Sequence, residues 1–234
     1  MAGGGDNGEI DRARVMTARR IVVIGSTGYL GFHLIGRLFA RGSCVVAIVR
    51  TGSAKRLPEG CEIVEANPLD RNGLRPHLQA GDTVVQLVGT PKPAPWKGAQ
   101  FQAVDLTAGL ASIEAAREAR VGHFVYVSVA HPAPIMKSYI AVRRECEARL
   151  SASGLRVTIL RPWYILGPGH WWPLGLQPVY RLMERIPSTR EAALRLGLVT
   201  LRQMLSALIW VVEHPPETRR TIEVPEIRRL GSAT

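Results

Sequence analysis

The chain has 234 residues, close to half of them apolar, and a formal net charge of +11. That size suits one large domain, or a domain with a small appendage, and it supports a sizeable core. The charge invites a nucleic-acid reading, but the basic residues run along the whole chain. Only Lys55, Lys92, Lys97 and Lys137 are lysines, and no basic stripe is interleaved with aromatics, so no nucleic-acid partner is expected.

Residues 1–19 are Gly-rich and polar and are expected to be a disordered N-terminal extension. They carry no apolar core of a secretory signal, and Met16 is an alternative start. Ile21–Ile24 reads as a strand, and Tyr29–Arg41 as a helix with Leu30, Leu34, Ile35 and Leu38 on one face, ended by Gly42. Strands follow at Cys44–Val49 and Glu62–Glu65, then a weaker helix near Asn72–Gln79 and a strand Thr83–Val88. Beyond the Pro-rich loop "TPKPAPWKG" come a long helix from about Ala99 to Arg120, strand Phe124–Ser128, helix Lys137–Ser153 and strand Arg156–Leu160. This alternation predicts an α/β fold, a Rossmann-type doubly wound parallel sheet covered on both faces.

From Arg161 the texture changes. "RPWYILGPGHWWPLGLQPVY" is rich in Pro, Gly and Trp, and helical patterns follow near Pro178–Glu184 and Leu201–Glu213. The expected division is a core over 20–161 and a small C-terminal lobe over 162–234 packed on it. Cys44, Cys61 and Cys146 lie far apart without C-x-x-C spacing. That indicates neither zinc nor a disulfide framework, and it fits buried thiols in a reducing compartment. The longest apolar run, Met204–Val212, is about half of what spans a bilayer. A cytoplasmic protein is expected, with a membrane-peripheral location as the alternative.

The first strand ends in "GSTGYLG". Gly25, Gly28 and Gly31 sit three apart where strand turns into helix. There Gly25 permits a tight turn, Gly28 lets a pyrophosphate approach the backbone, and Gly31 lets the helix pack on the sheet. The helix N-terminus offers N–H groups to phosphate, and Ser26 and Thr27 offer hydroxyls. Tyr29 and Leu30 complete the segment expected to face the dinucleotide.

The G-x-x-G-x-x-G spacing, with "VVQLVG", "AVDLTAGLASIEAAREARVGHFVYVSVA", "LRPWYILGPG" and "TIEVPEIRRL", resembles the short-chain dehydrogenase/reductase superfamily from about Ile21 to Leu230. The likeness is to its extended or atypical NAD(P)-binding branch, similar to NAD-dependent epimerase/dehydratase and complex I subunit-like members. The resemblance implies a bound nicotinamide dinucleotide, with Val88, Gly89 and Thr90 on the ribose side. At the adenine, where the family often has Gly-Asp-Leu, this chain has "NPLD"; Leu69 keeps the apolar contact and Asp70 is a candidate for the missing acid. After the second strand, "AIVRTGSAKR" has no acid to accept from a ribose 2′-hydroxyl, and Arg50 occupies the turn. A guanidinium suits a 2′-phosphate, with Lys55 or Arg56 beside it, so NADP(H) is expected over NAD(H).

Active members carry Tyr-x-x-x-Lys on the helix after the fifth strand. Here "YIAVR" keeps Tyr139 and puts Arg143 where Lys is expected. Spacing of four places both on one helix face, and a cation there lowers a tyrosine pKa. Ser128 is the candidate catalytic hydroxyl, and His131 follows in the loop. Three readings stand. The first is an NADP-dependent oxidoreductase or isomerase using Tyr139 and Arg143 on a hydrophobic carbonyl or quinone-like substrate, with Trp163, Tyr164 and His170 in a covering lobe. The second is a non-catalytic NADP(H)-binding redox sensor or assembly protein. The third is a membrane-surface or lipid-handling protein, suggested by Trp163, Tyr164, Trp171, Trp172 and Tyr180. Oligomeric state is not legible.

Overall fold

The computed structural model describes residues 20–53, 57, 58, 60–169 and 185–232. The expected N-terminal extension, Lys55, Arg56, His170, Trp171, Trp172, Tyr180 and the helical pattern near 178–184 lie outside them.

Strand β1 (Ile21–Ile24) leads into helix α1 (Tyr29–Ala40), then β2 (Val45–Val49) and β3 (Glu62–Glu65). A short helix α2 (Arg71–Leu74) tightens into a 3-10 turn at Arg75–His77 before β4 (Thr83–Gln86). Helix α3 runs through Gly98–Gln100, a π-helical stretch Phe101–Leu106 and Thr107–Ala119. It is followed by β5 (His123–Val127), α4 (Lys137–Ala152) and β6 (Val157–Arg161). The remainder holds β7 (Tyr164–Leu166), α5 (Pro187–Arg195), β8 (Leu198–Thr200), α6 (Leu201–Glu213), β9 (Arg219–Glu223) and α7 (Val224–Ser232).

Seven strands form one sheet in the order β3-β2-β1-β4-β5-β6-β9, every neighbouring pair parallel. The period-2 alternation of strands explains its two-sided burial. In β1, Ile21 and Val23 point to the face covered by Leu34, Ile35 and Leu38 of α1 and by Met204, Leu208 and Val211 of α6. Val22 and Ile24 point to the opposite face, against Leu74 of α2, Ile113 and Ala116 of α3, and Leu150 of α4. Each fully buried aliphatic side chain contributes about 1.5–3 kcal/mol, which makes the doubly wound sheet the rigid part of the molecule. The fold class read from the sequence is the one observed.

Beyond β6 the chain first makes a small parallel pair, Tyr164–Leu166 with Leu198–Thr200. It then starts α6 with a capping box, Thr200 Oγ1 accepting from Gln203 N at 3.2 Å and Gln203 Oε1 from Thr200 N at 2.9 Å. Strand β9 returns to the main sheet beside β6, with Thr158 opposite Arg220 and Leu160 opposite Ile222. The stretch expected as a C-terminal lobe thus gives one strand to the core sheet.

Candidate functional site

The site follows from where β1 stops. Gly25 has φ +90°, a conformation open to glycine, and a Cβ there would lie 2.8 Å from Val88 N. The turn therefore presses on the loop after β4. Gly28 N donates to Gly25 O at 3.1 Å, and the first helical bond of α1 runs from Phe32 N to Gly28 O at 2.9 Å. A Cβ on Gly31 would collide with the Gly25 carbonyl oxygen, so glycine is required for α1 to pack on the turn. Gly28 caps α1 without a side-chain hydrogen bond, and the first turn holds no acid. The amides of that turn have no intrahelical acceptor, and the macrodipole is uncancelled. A phosphate fits this cradle.

Two side chains of the motif are committed elsewhere. Ser26 is buried and its Oγ donates to Ile48 O at 2.5 Å. Its hydroxyl fastens the turn to β2 instead of facing a phosphate, as the sequence suggested. The Tyr29 hydroxyl lies against Gly167, so the ring ties α1 to the segment after β7, and burial pushes its pKa up. Leu30 packs on the core, and Thr27 is half-buried.

At the ends of β2 and β3, Arg50, Thr51, Ser53, Ala66 and Asn67 line a cleft of about 350 Å³. Glu65 stands at its edge, its Oε1 accepting from Gly52 N at 3.3 Å. Leu69 is exposed, and its N–H donates to Asn67 Oδ1 at 3.1 Å. The Asp70 carboxylate caps α2, accepting from Asn72 N at 3.0 Å and Gly73 N at 3.2 Å.

Across the crevice, Tyr139 is half-buried, its ring 4.9 Å from that of Phe101. The Arg143 guanidinium lies 5.0 Å from the Tyr139 ring centre. Arg143 is not a free cation. Its Nη2 donates to Asp105 Oδ1 at 2.5 Å, and its Nη1 donates to Tyr126 Oη and to Val127 O, both at 3.2 Å. Asp105 Oδ2 accepts from Thr90 N at 3.0 Å and Thr90 Oγ1 at 2.6 Å. The Thr90 hydroxyl therefore points inward, and a Cβ on Gly89 would lie 2.6 Å from Arg143 Nη2. Burial disfavours the Arg143 charge, but Tyr126, Tyr139 and Asp105 outweigh it and hold the pKa well above the usual range. Burial likewise raises the Tyr126 pKa well above normal against the pull of Arg143, so Tyr126 is a neutral phenol.

Sequence reasoning missed Asp105. An acid inside an apolar helical stretch reads as a solvated residue, yet its side chain is fully buried. The signal available was the adjacent exchange of Lys for Arg, which calls for a planar acceptor.

Ser128 also departs from expectation. It is buried and donates to Glu147 Oε1 at 2.6 Å, and Glu147 is paired with Arg161, which reaches Glu223 at 2.9 Å. Its hydroxyl belongs to a structural network between α4, β6 and β9. His131 Nδ1 donates to Val129 O at 3.0 Å, a local loop contact. Trp163 packs on the core and edge-on to Tyr164 at 5.5 Å.

The model of the NAD(P)H-binding family matches residues 25–168, from the first glycine of the turn to the segment after β7. The chain belongs to the NAD(P)H-binding family. This NAD(P)H-binding chain is 27% identical over 217 residues to the ceramide reductase of Caulobacter vibrioides, across 92% of this chain and 67% of that protein. It is 29% identical over 178 residues to a 3-diazoavenalumate denitrifying reductase of Streptomyces, across 64% of this chain and 57% of that protein. The chain thus spans from about half to two thirds of these relatives. Among solved structures it resembles the Bordetella bronchiseptica enzyme WbmH in complex with NAD+ (TM-score 0.65, 21% identity, 93% of this chain and 80% of that one). It also resembles the UDP-N-acetylglucosamine 4-epimerase of Bacillus cereus (TM-score 0.64, 16% identity, 90% and 83%). At those identities the likeness is one of fold. The solved structures share the fold that the resemblance to short-chain dehydrogenase/reductases implies, and the family match makes a nicotinamide dinucleotide the ligand class.

Proposed function

We propose that the chain is an NADP(H)-dependent reductase of an apolar carbonyl compound. The observation that carries this is Tyr139. It stays partly open, on the same side as the glycine turn and the Gly89 loop, with a fixed cation beside its ring. The amides of the Gly28–Gly31 turn would hold the pyrophosphate. Arg50 would meet the adenosine 2′-phosphate in the cleft it lines with Thr51, Ser53, Ala66 and Asn67. Among the described residues no acid lines that cleft, which favours NADP(H) over NAD(H), while Glu65 at the edge opposes the phosphate in part.

A reduced dinucleotide held by these residues would supply the hydride for the substrate carbonyl carbon and leave as its oxidised form. Tyr139 delivers the proton to the carbonyl oxygen from its phenol Oη. Arg143, held by Asp105, orients the ring. The substrate class is supported by the similarity to a ceramide reductase.

The test is titration of the full chain with NADPH and NADH by calorimetry, then NADPH oxidation with long-chain ketones. NADPH should bind more tightly than NADH. Tyr139→Phe should cut turnover by about 100-fold or more while NADPH affinity stays within about threefold. A second reading is favoured by the engagement of Arg143 with Asp105, Tyr126 and Val127: a non-catalytic NADP(H)-binding sensor or assembly protein. NADPH binding without oxidation of any ketone, unaltered by Tyr139→Phe, would select it.

A further inference from the structure

Two loops lead into the helices that carry the Tyr139 site. Residues 91–97 precede Gly98 at the start of α3, and residues 131–136 precede Lys137 at the start of α4. The two helix starts touch: the Cβ position of Gly98 lies 3.6 Å from the Ser138 side chain, and Phe101 meets Tyr139. The loops therefore emerge side by side next to Tyr139.

Their exposed content is unusual. Trp96 is 83% exposed and Ile135 49% exposed. Lys92 and Lys137 are exposed, and Lys97 bends back to donate to Pro91 O at 2.9 Å. Three of the four lysines of the chain thus flank one bare indole. No Asp or Glu occurs from 83 to 104, nor from 119 to 144. An indole left in water beside ammonium groups, with no acid in either flanking stretch of sequence, has the chemistry of a bilayer interface. The ring sits at the headgroup level, and each lysine gains from anionic lipid. The net charge of +11 adds long-range attraction of the same sign.

We propose that the rim formed by Trp96, Ile135, Lys92, Lys97 and Lys137 docks on an anionic lipid surface. The docking sets the partly open Tyr139 near the bilayer, and it stands whether or not the chain is a reductase.

The test is co-sedimentation of the full chain with phosphatidylcholine vesicles with and without phosphatidylserine. The chain should pellet with the phosphatidylserine vesicles only, and about 0.5 M salt should release it. Trp96→Ser should lower the partition coefficient about tenfold. Lys92→Asn with Lys137→Gln should lower it about 25-fold, roughly fivefold per lysine. Asn suits position 92, whose φ is 49°. The shift in melting temperature caused by NADPH, unchanged in both variants, reports an intact fold. Three outcomes overturn the proposal: no pelleting, equal pelleting without phosphatidylserine, or undiminished pelleting of the variants. Retention on immobilised poly-glutamate without pelleting would do so too, and would point to an acidic protein partner.

Discussion

Asp105 of α3 and Arg143 of α4 form an ion pair of 2.5 Å with side chains 0% and 6% exposed. A pair so dry is tolerated because Thr90, Tyr126 and Val127 meet its other contacts, with Arg143 Nε the one guanidinium nitrogen left without a partner among the described residues. Asp105→Asn leaves the guanidinium without its counter-charge, and urea denaturation should show a loss of about 3–5 kcal/mol. Replacing both, Asp105→Leu with Arg143→Met, should recover most of that loss.

Ser128→Ala tests where the serine hydroxyl belongs. Its Oγ satisfies a buried Glu147 oxygen, so the variant should lose about 1–3 kcal/mol of stability. NADPH affinity should stay within about threefold of the parent's, because the affected contact belongs to the α4–β6–β9 network.

Gly31→Ala introduces a methyl into the Gly25 carbonyl. Moving α1 off the turn should cost about 1–3 kcal/mol and abolish the rise in melting temperature given by NADPH. Gly36→Ala is the control: nothing lies within 4 Å of its Cβ position, so α1 should be unchanged or slightly stabilised.

Arg50→Glu should weaken NADPH by about 10- to 100-fold and leave NADH nearly unchanged, as read by calorimetry. An equal loss for both dinucleotides would remove Arg50 from the 2′-phosphate.

The thiols should separate by accessibility and charge. Cys44 is exposed, Cys61 half-buried and Cys146 buried. Burial raises the pKa of Cys61 and of Cys146, so at neutral pH each is a thiol, with less thiolate than an exposed cysteine. A disulfide reagent should find one fast site in the native protein, removed by Cys44→Ser. Cys146 should react only on unfolding.

The sequence made the first six strands legible because five are short apolar runs between turn signals, and the Ile63–Val64 pair marks the exposed β3. Ile21–Ile24 and Glu62–Glu65 were placed to the residue, and Leu201–Glu213 likewise among the helices. Strand β9 was missed because "RRTIE" carries two arginines and a glutamate at the edge of the sheet, so no apolar run marks it. Helix α5 lies in the Pro- and Trp-rich half, where no clean period exists. In the site, the glycine turn was legible from spacing. Side-chain direction was not: whether Ser26 and Ser128 face a ligand or the core depends on partners, Ile48 and Glu147, that are brought near only by the tertiary fold.

Strand β9 has a consequence for synthesis. Strand β6 is complete at Arg161, but its outer hydrogen-bonding edge is covered only when Arg219–Glu223 leaves the ribosome nearly sixty residues later. Throughout that interval a nascent chain offers a naked, twist-matched edge to any other strand nearby. Chaperone protection, or a slow final docking step sealed by Arg161 and Glu223, would guard this chain against cross-pairing with its own copies on a polysome.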